Sequence, residues 1–152
     1  MGITEGLSVI DYPEYFYNDE LPLWINPVTG RISSPAGMRD NPITGLREFH
    51  DGVDIAIPTG TPIVAPKDGT VVAAGFSPSF GYFMRIAHDN SLYTTFYAHL
   101  SRPWAVIGDI VTQGTLIAYS GNTGMSTGPH LHFSIFYDGQ FIDPMTRLDF
   151  VS

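Results

Sequence analysis

The chain of 152 residues contains no cysteine, so disulfides and thiolate metal sites are excluded, and any metal would have to be held by histidine and carboxylate. It is also poor in positive charge: seven Lys and Arg stand against 15 Asp and Glu, a formal net charge of −8. That balance argues against nucleic acid and against an anionic membrane surface as partners. No apolar run is long enough to span a bilayer, and no transmembrane segment is expected. The N-terminus has no basic stretch leading into an apolar one, so no export signal is expected within this chain. A sustained amphipathic helical pattern with caps is missing as well, and so is the H-E-x-x-H helix of one large class of zinc peptidases.

What remains is a globular composition, 43% hydrophobic and 13% aromatic, punctuated by 16 glycines and 12 prolines. Residues 1–27 are acidic, tyrosine-rich and without periodicity. They are expected to form an N-terminal extension that packs on the domain through Tyr15, Phe16, Leu23 and Trp24. Residues 28–152 form the domain. Short apolar runs between Gly/Pro turns predict an all-β fold with strands at Pro62–Ala65, Thr70–Gly75, Phe83–His88, Tyr93–Ala98, Ile110–Val111, Leu116–Gly121 and His130–Tyr137. An internal echo links Gly60–Gly75 with Gly108–Gly121. Each half reads as Gly, short strand, turn ending in Gly-Thr, apolar strand, Gly. These pseudo-repeated β-units, facing one another, predict an antiparallel β-sandwich or half-barrel.

The chemistry lies in five histidines. His130 and His132 stand two apart in a strand pattern and therefore project from one face, roughly 6.6–6.8 Å apart along the backbone. His50 and Asp54 flank Gly52, whose bend lets imidazole and carboxylate both turn inward. His99 closes an apolar strand. A catalytic zinc takes three protein ligands and leaves a position for water. The count fits His50, Asp54 and one member of the His130/His132 pair as ligands, with the other member and His99 left for proton transfer. His88, beside Asp89 and Asn90 in a turn, is expected to be solvated, and Asp51, Asp89 and Asp109 to be turn or surface residues.

Taken together, these segments resemble the lysostaphin/LytM-type zinc metalloendopeptidases of bacterial cell walls. The resemblance runs from about Gly30 to Pro144. It covers Arg31–Arg39 with Asn41-Pro42, then His50-Asp51-Gly52-Val53-Asp54, Gly60-Thr61-Pro62, Ala65–Gly69, Tyr97-Ala98-His99-Leu100 and Ser120–Phe133, in order and at matching spacing. It implies an antiparallel β-fold with an open groove floored by a sheet and walled by loops. It implies one Zn2+ held by His50, Asp54 and His132, with His99 and His130 beside the water for proton transfer and oxyanion stabilisation. It also implies extracytoplasmic action on the peptide part of peptidoglycan, at stem-peptide cross-links or glycine-rich bridges. Arg39, Asn41 and Tyr82 are candidate substrate contacts; for Arg39 and Asn41 the other reading is a loop contact that holds the extension.

The chain departs from the family pattern at Ser134, where Glu often follows the Phe, and at Phe83, where Gly often follows Tyr82. Three other readings make different predictions. A non-catalytic cell-wall binding or regulatory module of the same fold would lose a ligand or proton-transfer histidine. A lipoyl- or biotinyl-type carrier would modify Lys67. A latent form would place Asp11 or Glu14 of the extension on the metal.

Overall fold

The computed structural model describes residues 24–148, without the side chain of Asn90. Asp11, Glu14, Tyr15, Phe16 and Leu23, named above for the extension, lie outside the described residues. The strands are β1 (Arg31–Ser34), β2 (Gly37–Asp40), β3 (Arg47–His50), β4 (Val53–Ala56), β5 (Pro62–Val64), β6 (Gly69–Ser77), β7 (Gly81–His88), β8 (Tyr93–Pro103), β9 (Ile110–Val111), β10 (Leu116–Ser120), β11 (Leu131–Tyr137) and β12 (Gln140–Ile142). Among the described residues the helical turns are two 3-10 segments, Asp89–Ser91 and Pro144–Thr146. All strand pairs are antiparallel.

One ten-stranded sheet runs β1-β4-β11-β8-β7-β6-β9, with β12 added beside β11 and β10 joined to both β8 and β5. The hairpin β2–β3 is a separate two-stranded unit. Alternation along β11 explains the division of labour. Leu131, Phe133 and Ile135 enter the core with Ile55, Ile63, Met84, Ile86, Leu100 and Ile117, while His132 and Ser134 turn to the other face. Each fully buried aliphatic or aromatic side chain there contributes about 1.5–3 kcal/mol.

The internal echo has a structural meaning. The two units pair crosswise, β5 with β10 and β6 with β9. Backbone bonds close both junctions: Gly114 N–H donates to Ala65 O, and Gly108 N–H donates to Val71 O. Neither half could bury its own apolar strand face alone, so each completes the other.

β6, β7 and β8 run beyond the predicted strands, while β5, β10 and β11 are each one residue shorter. β8 does not stop at Ala98 but continues through His99 to Pro103. β11 begins at Leu131, with His130 in an isolated bridge to Gly121 just before it. β1 to β4 were not predicted as strands, because their sequences are short, polar and broken by Gly and Pro.

His88 requires a correction. It is not solvated in a turn; it is 1% exposed. Its Nδ1 donates to Asp68 O at 2.7 Å and its Nε2 faces Thr95 Oγ1 at 2.9 Å, which in turn meets Tyr97 OH at 2.6 Å. The Trp24 ring packs edge-on at 5.4 Å. Although Asp89 and Asn90 follow His88 in a turn, its side chain points away from them toward Asp68 O, Thr95 and Trp24. Lys67 is likewise engaged rather than displayed: its Nζ lies 2.6 Å from Asp89 Oδ2 and over the Trp24 ring.

Candidate metal centre and groove

Register brings the site together. On β11, His132 lies directly opposite Asp54 of β4 on one side and Ala98 of β8 on the other. β3 ends at His50, and the Asp51-Gly52 turn carries the chain into β4. Gly52 is required there, since a Cβ would sit 2.6 Å from Ser134 Oγ, 2.7 Å from Phe133 O and 2.8 Å from His132 Cε1. His99 occupies a bulge: between its pairings with β7 at Tyr82 and Met84, β8 accommodates one extra residue. Its φ is 62°, a left-handed conformation unusual for a non-glycine residue, and its imidazole lies beside those of His130 and His132. No signal in the sequence announces that bulge.

His50 Nε2, Asp54 Oδ1 and His132 Nδ1 form a nearly equilateral triangle. The edges are 3.1 Å between the two histidines, 3.2 Å from His132 to Asp54 and 3.3 Å from His50 to Asp54. Tetrahedral zinc with bonds of 2.0–2.1 Å has donor–donor edges of about 3.3 Å. Each group is held from behind. His50 Nδ1 donates to Pro35 O at 3.0 Å, His132 Nε2 faces Ser134 Oγ at 2.9 Å, and Asp54 Oδ2 accepts from Arg39 at 3.3 Å. With the ring protons spent on Pro35 and Ser134, three lone pairs converge on one point, an arrangement that a divalent cation satisfies. The donor set therefore fits zinc.

Electrostatics agree. Burial by itself would raise the Asp54 carboxyl, but its contacts with the His132 and His50 rings hold it far below the usual carboxylate range.

The two remaining histidines lie alongside. His130 Nε2 is 3.7 Å from Asp54 Oδ1, and the rings of His99 and His130 are 4.8 Å apart. His130 Nδ1 donates to Gly128 O at 2.8 Å and His99 Nδ1 donates to Thr123 O at 2.7 Å. Both bonds fix the tautomer and leave Nε2 for chemistry. Burial pushes His99 down to about 4, assisted by the charges of His130 and His132 against the opposing pull of Thr123 O and Asp54, so its ring is neutral at pH 7.

The candidate substrate contacts fall into two groups. Arg39 and Asn41 turn into the protein: Arg39 bridges Glu48, Ser34 and Asp54, and Asn41 Nδ2 donates to Glu48 Oε1 while its Oδ1 caps Ile43 and Thr44 N–H. Tyr82 is exposed, with its ring 5.0 Å from Phe76. Residues that sequence reasoning did not assign are Ser134, Pro35, Thr123 and Gly128. Three of these act through backbone carbonyls, which carry no residue signature; Ser134 stood out only as a departure from a pattern.

Residues 48–144 match the sequence profile of Peptidase family M23. The chain belongs to that family. The M23 domain is 41% identical over 116 residues to the DD-carboxypeptidase/endopeptidase Mpg of Neisseria meningitidis, covering 76% of this chain and 26% of that protein. It superposes on a zinc-containing peptidase from Vibrio cholerae with a TM-score of 0.73 and 35% identity, covering 81% of this chain and 38% of that one. The catalytic domain of the antimicrobial peptidase lysostaphin from Staphylococcus simulans gives a TM-score of 0.69 at 34% identity, over 77% of this chain and 90% of that one. The chain spans between a quarter and a third of the length of the curated relatives it matches. The expected all-β, lysostaphin-like fold is thus borne out. No helix among the described residues is long and apolar enough to cross a membrane.

Proposed function

We propose that this M23 domain is a zinc-dependent endopeptidase that hydrolyses peptide cross-links or bridges of bacterial peptidoglycan, acting outside the cytoplasm. The observation that carries the reading is the triangle of His50 Nε2, Asp54 Oδ1 and His132 Nδ1 with two carbonyl-anchored histidines beside it. The relatives named for endopeptidase activity support the reaction, and the zinc-containing structural neighbour supports the metal.

His50, Asp54 and His132 would hold the ion. When bound, zinc supplies a Lewis acid for the scissile carbonyl and acidifies water at its open position. Everything else falls to the chain. Neutral His99 offers Nε2 as a proton acceptor toward the attacking water, and His130, nearest Asp54, serves as its partner. Once protonated, the pair stabilises the developing oxyanion and returns a proton to the leaving amine. Carbonyls of Thr123 and Gly128 hold the rings so that neither must reorient during turnover.

The test combines metal analysis with hydrolysis of purified peptidoglycan by the full chain and by His132→Ala. The wild type is expected to carry one zinc and release peptide termini, and the variant to lose both. A variant that keeps its zinc and its hydrolysis overturns the ligand assignment.

A further inference from the structure

The sheet face beyond His132 carries a positive charge that the proposed reaction does not use. Arg85 of β7 lies opposite Phe96 of β8, which lies opposite Ser134 of β11. This row is one step along the same sheet face from the His132–Ala98 pair. The Arg85 guanidinium is stacked 4.9 Å from the Phe96 ring centre and 5.2 Å from that of Phe136, and the Phe96 ring is 6.2 Å from the imidazole of His132. One aromatic ring thus separates the cation from a metal ligand.

The charge is poorly compensated. Its side-chain hydrogen bond goes to a neutral group, Thr94 Oγ1 at 3.3 Å. Among the described residues Arg31, Arg85, Arg102 and Arg147 make no ion pair, unlike Arg39, Arg47 and Lys67, and of those four Arg85 alone is partly buried rather than exposed. Asp51, whose side chain is 56% exposed, acts on it only at longer range. Partial burial disfavours the charged form, and stacking between two rings fixes the guanidinium plane. A planar, immobilised guanidinium with spare N–H donors at its edge matches a carboxylate, which it can bind through two parallel hydrogen bonds.

We propose that Arg85 is a specificity-determining residue of the groove, which binds a carboxylate of the peptide substrate on the Phe136 side of the scissile bond. The proposal rests on the peptidase reading above and narrows it. Cross-linked stem peptides carrying free carboxylates are the substrates, and uncharged glycine bridges are not. The carboxylate is either a side-chain group or a chain terminus.

The experiment uses the zinc-loaded full chain and three matched cross-linked peptides: one with free carboxylates, one amidated at the side-chain carboxylates and one amidated at the C-termini. The free peptide is expected to exceed one of the amidated forms by about tenfold in kcat/KM, mainly through KM, as for a partly desolvated ion pair. The form that loses the advantage identifies the source of the carboxylate. Arg85→Gln is expected to bring the ratio close to one and Arg85→Lys to keep part of it. Equal kcat/KM for all three peptides with the wild type overturns the proposal without recourse to any variant. So does an Arg85→Gln ratio as large as that of the wild type. Calorimetric binding of the same peptides separates the two readings. Preferential binding of the carboxylate form without cleavage upholds the Arg85 site and removes the peptidase reading. Cleavage of all forms alike upholds the peptidase and removes the site.

Discussion

Ser134 Oγ lies 2.9 Å from Nε2 of His132, on the side of the ring that faces away from Asp54. Both residues project from the same face of β11, two positions apart, so the strand itself sets the contact. The hydroxyl holds the ring nitrogen that is not offered to the metal and so fixes the tautomer of the one that is. Ser134→Ala removes this partner from a site that is 0% exposed, where water cannot substitute. Zinc affinity is expected to fall by about 10–100-fold. Competition with a fluorescent chelator measures this directly, and an unchanged affinity would show that Ser134 only fills space.

Arg39 acts on the opposite side of the triangle. Its Nη1 lies 3.3 Å from Asp54 Oδ2, and its other contacts to Glu48 and Ser34 tie the β2–β3 hairpin to the ligand carboxylate. Arg39→Met keeps the volume and removes the charge, which frees Asp54 to rotate. We expect about tenfold weaker zinc binding, in line with other partners that orient ligands. If instead Arg39 serves substrate alone, the same variant will raise KM and leave zinc affinity untouched.

The site was legible in the sequence because its spacings are local. His132 is set by its place on β11 and His130 by the bridge just before it, and His50 and Asp54 meet across a bend that Gly52 permits. The paired β-units were legible too, since their turns repeat the same Gly-Thr ending. What could not be read depends on contacts between distant segments. The His99 bulge arises where β8 accommodates two different registers, and the burial of His88 depends on Trp24 and Thr95 closing around it. β2 and β3 escaped notice because their exposed Met38 and Phe49 and their charged residues give no clean alternation of burial with polarity.

Metal removal should cost stability as well as activity. Three converging acceptors without a cation repel one another, and a ligand present at 1,000 times its Kd contributes about 4 kcal/mol to the folded state. For a domain of this size that corresponds to roughly 8–16 °C in Tm. A melt recorded with excess EDTA and then with zinc restored should show the loss and its reversal. Identical melts would mean that the described residues do not bind the ion.

His88 makes the fold sensitive to acid. Burial lowers its pKa from the ordinary 6.5, with Lys67 adding to the effect and the Asp68 carbonyl and the Asp89 and Asp68 charges opposing it. The folded state therefore favours the neutral ring, and the unfolded chain binds the proton more readily. Stability from this residue is fully present above pH 6.5 and is lost as pH falls from 6.5 toward the depressed folded value. His99, pushed down to about 4, adds to the slope in the same direction and over a window that extends to that value. His88→Gln removes one of these titrations. It also disturbs the bonds to Asp68 O and Thr95, at a cost of about 1–3 kcal/mol. Urea denaturation at pH 7.5 and pH 5.0 should show the variant less stable at the higher pH and the gap to the wild type narrowing at the lower one. A gap that stays constant between the two pH values would mean that His88 takes up its proton equally in the folded and unfolded states, and that the acid sensitivity belongs to the other histidines.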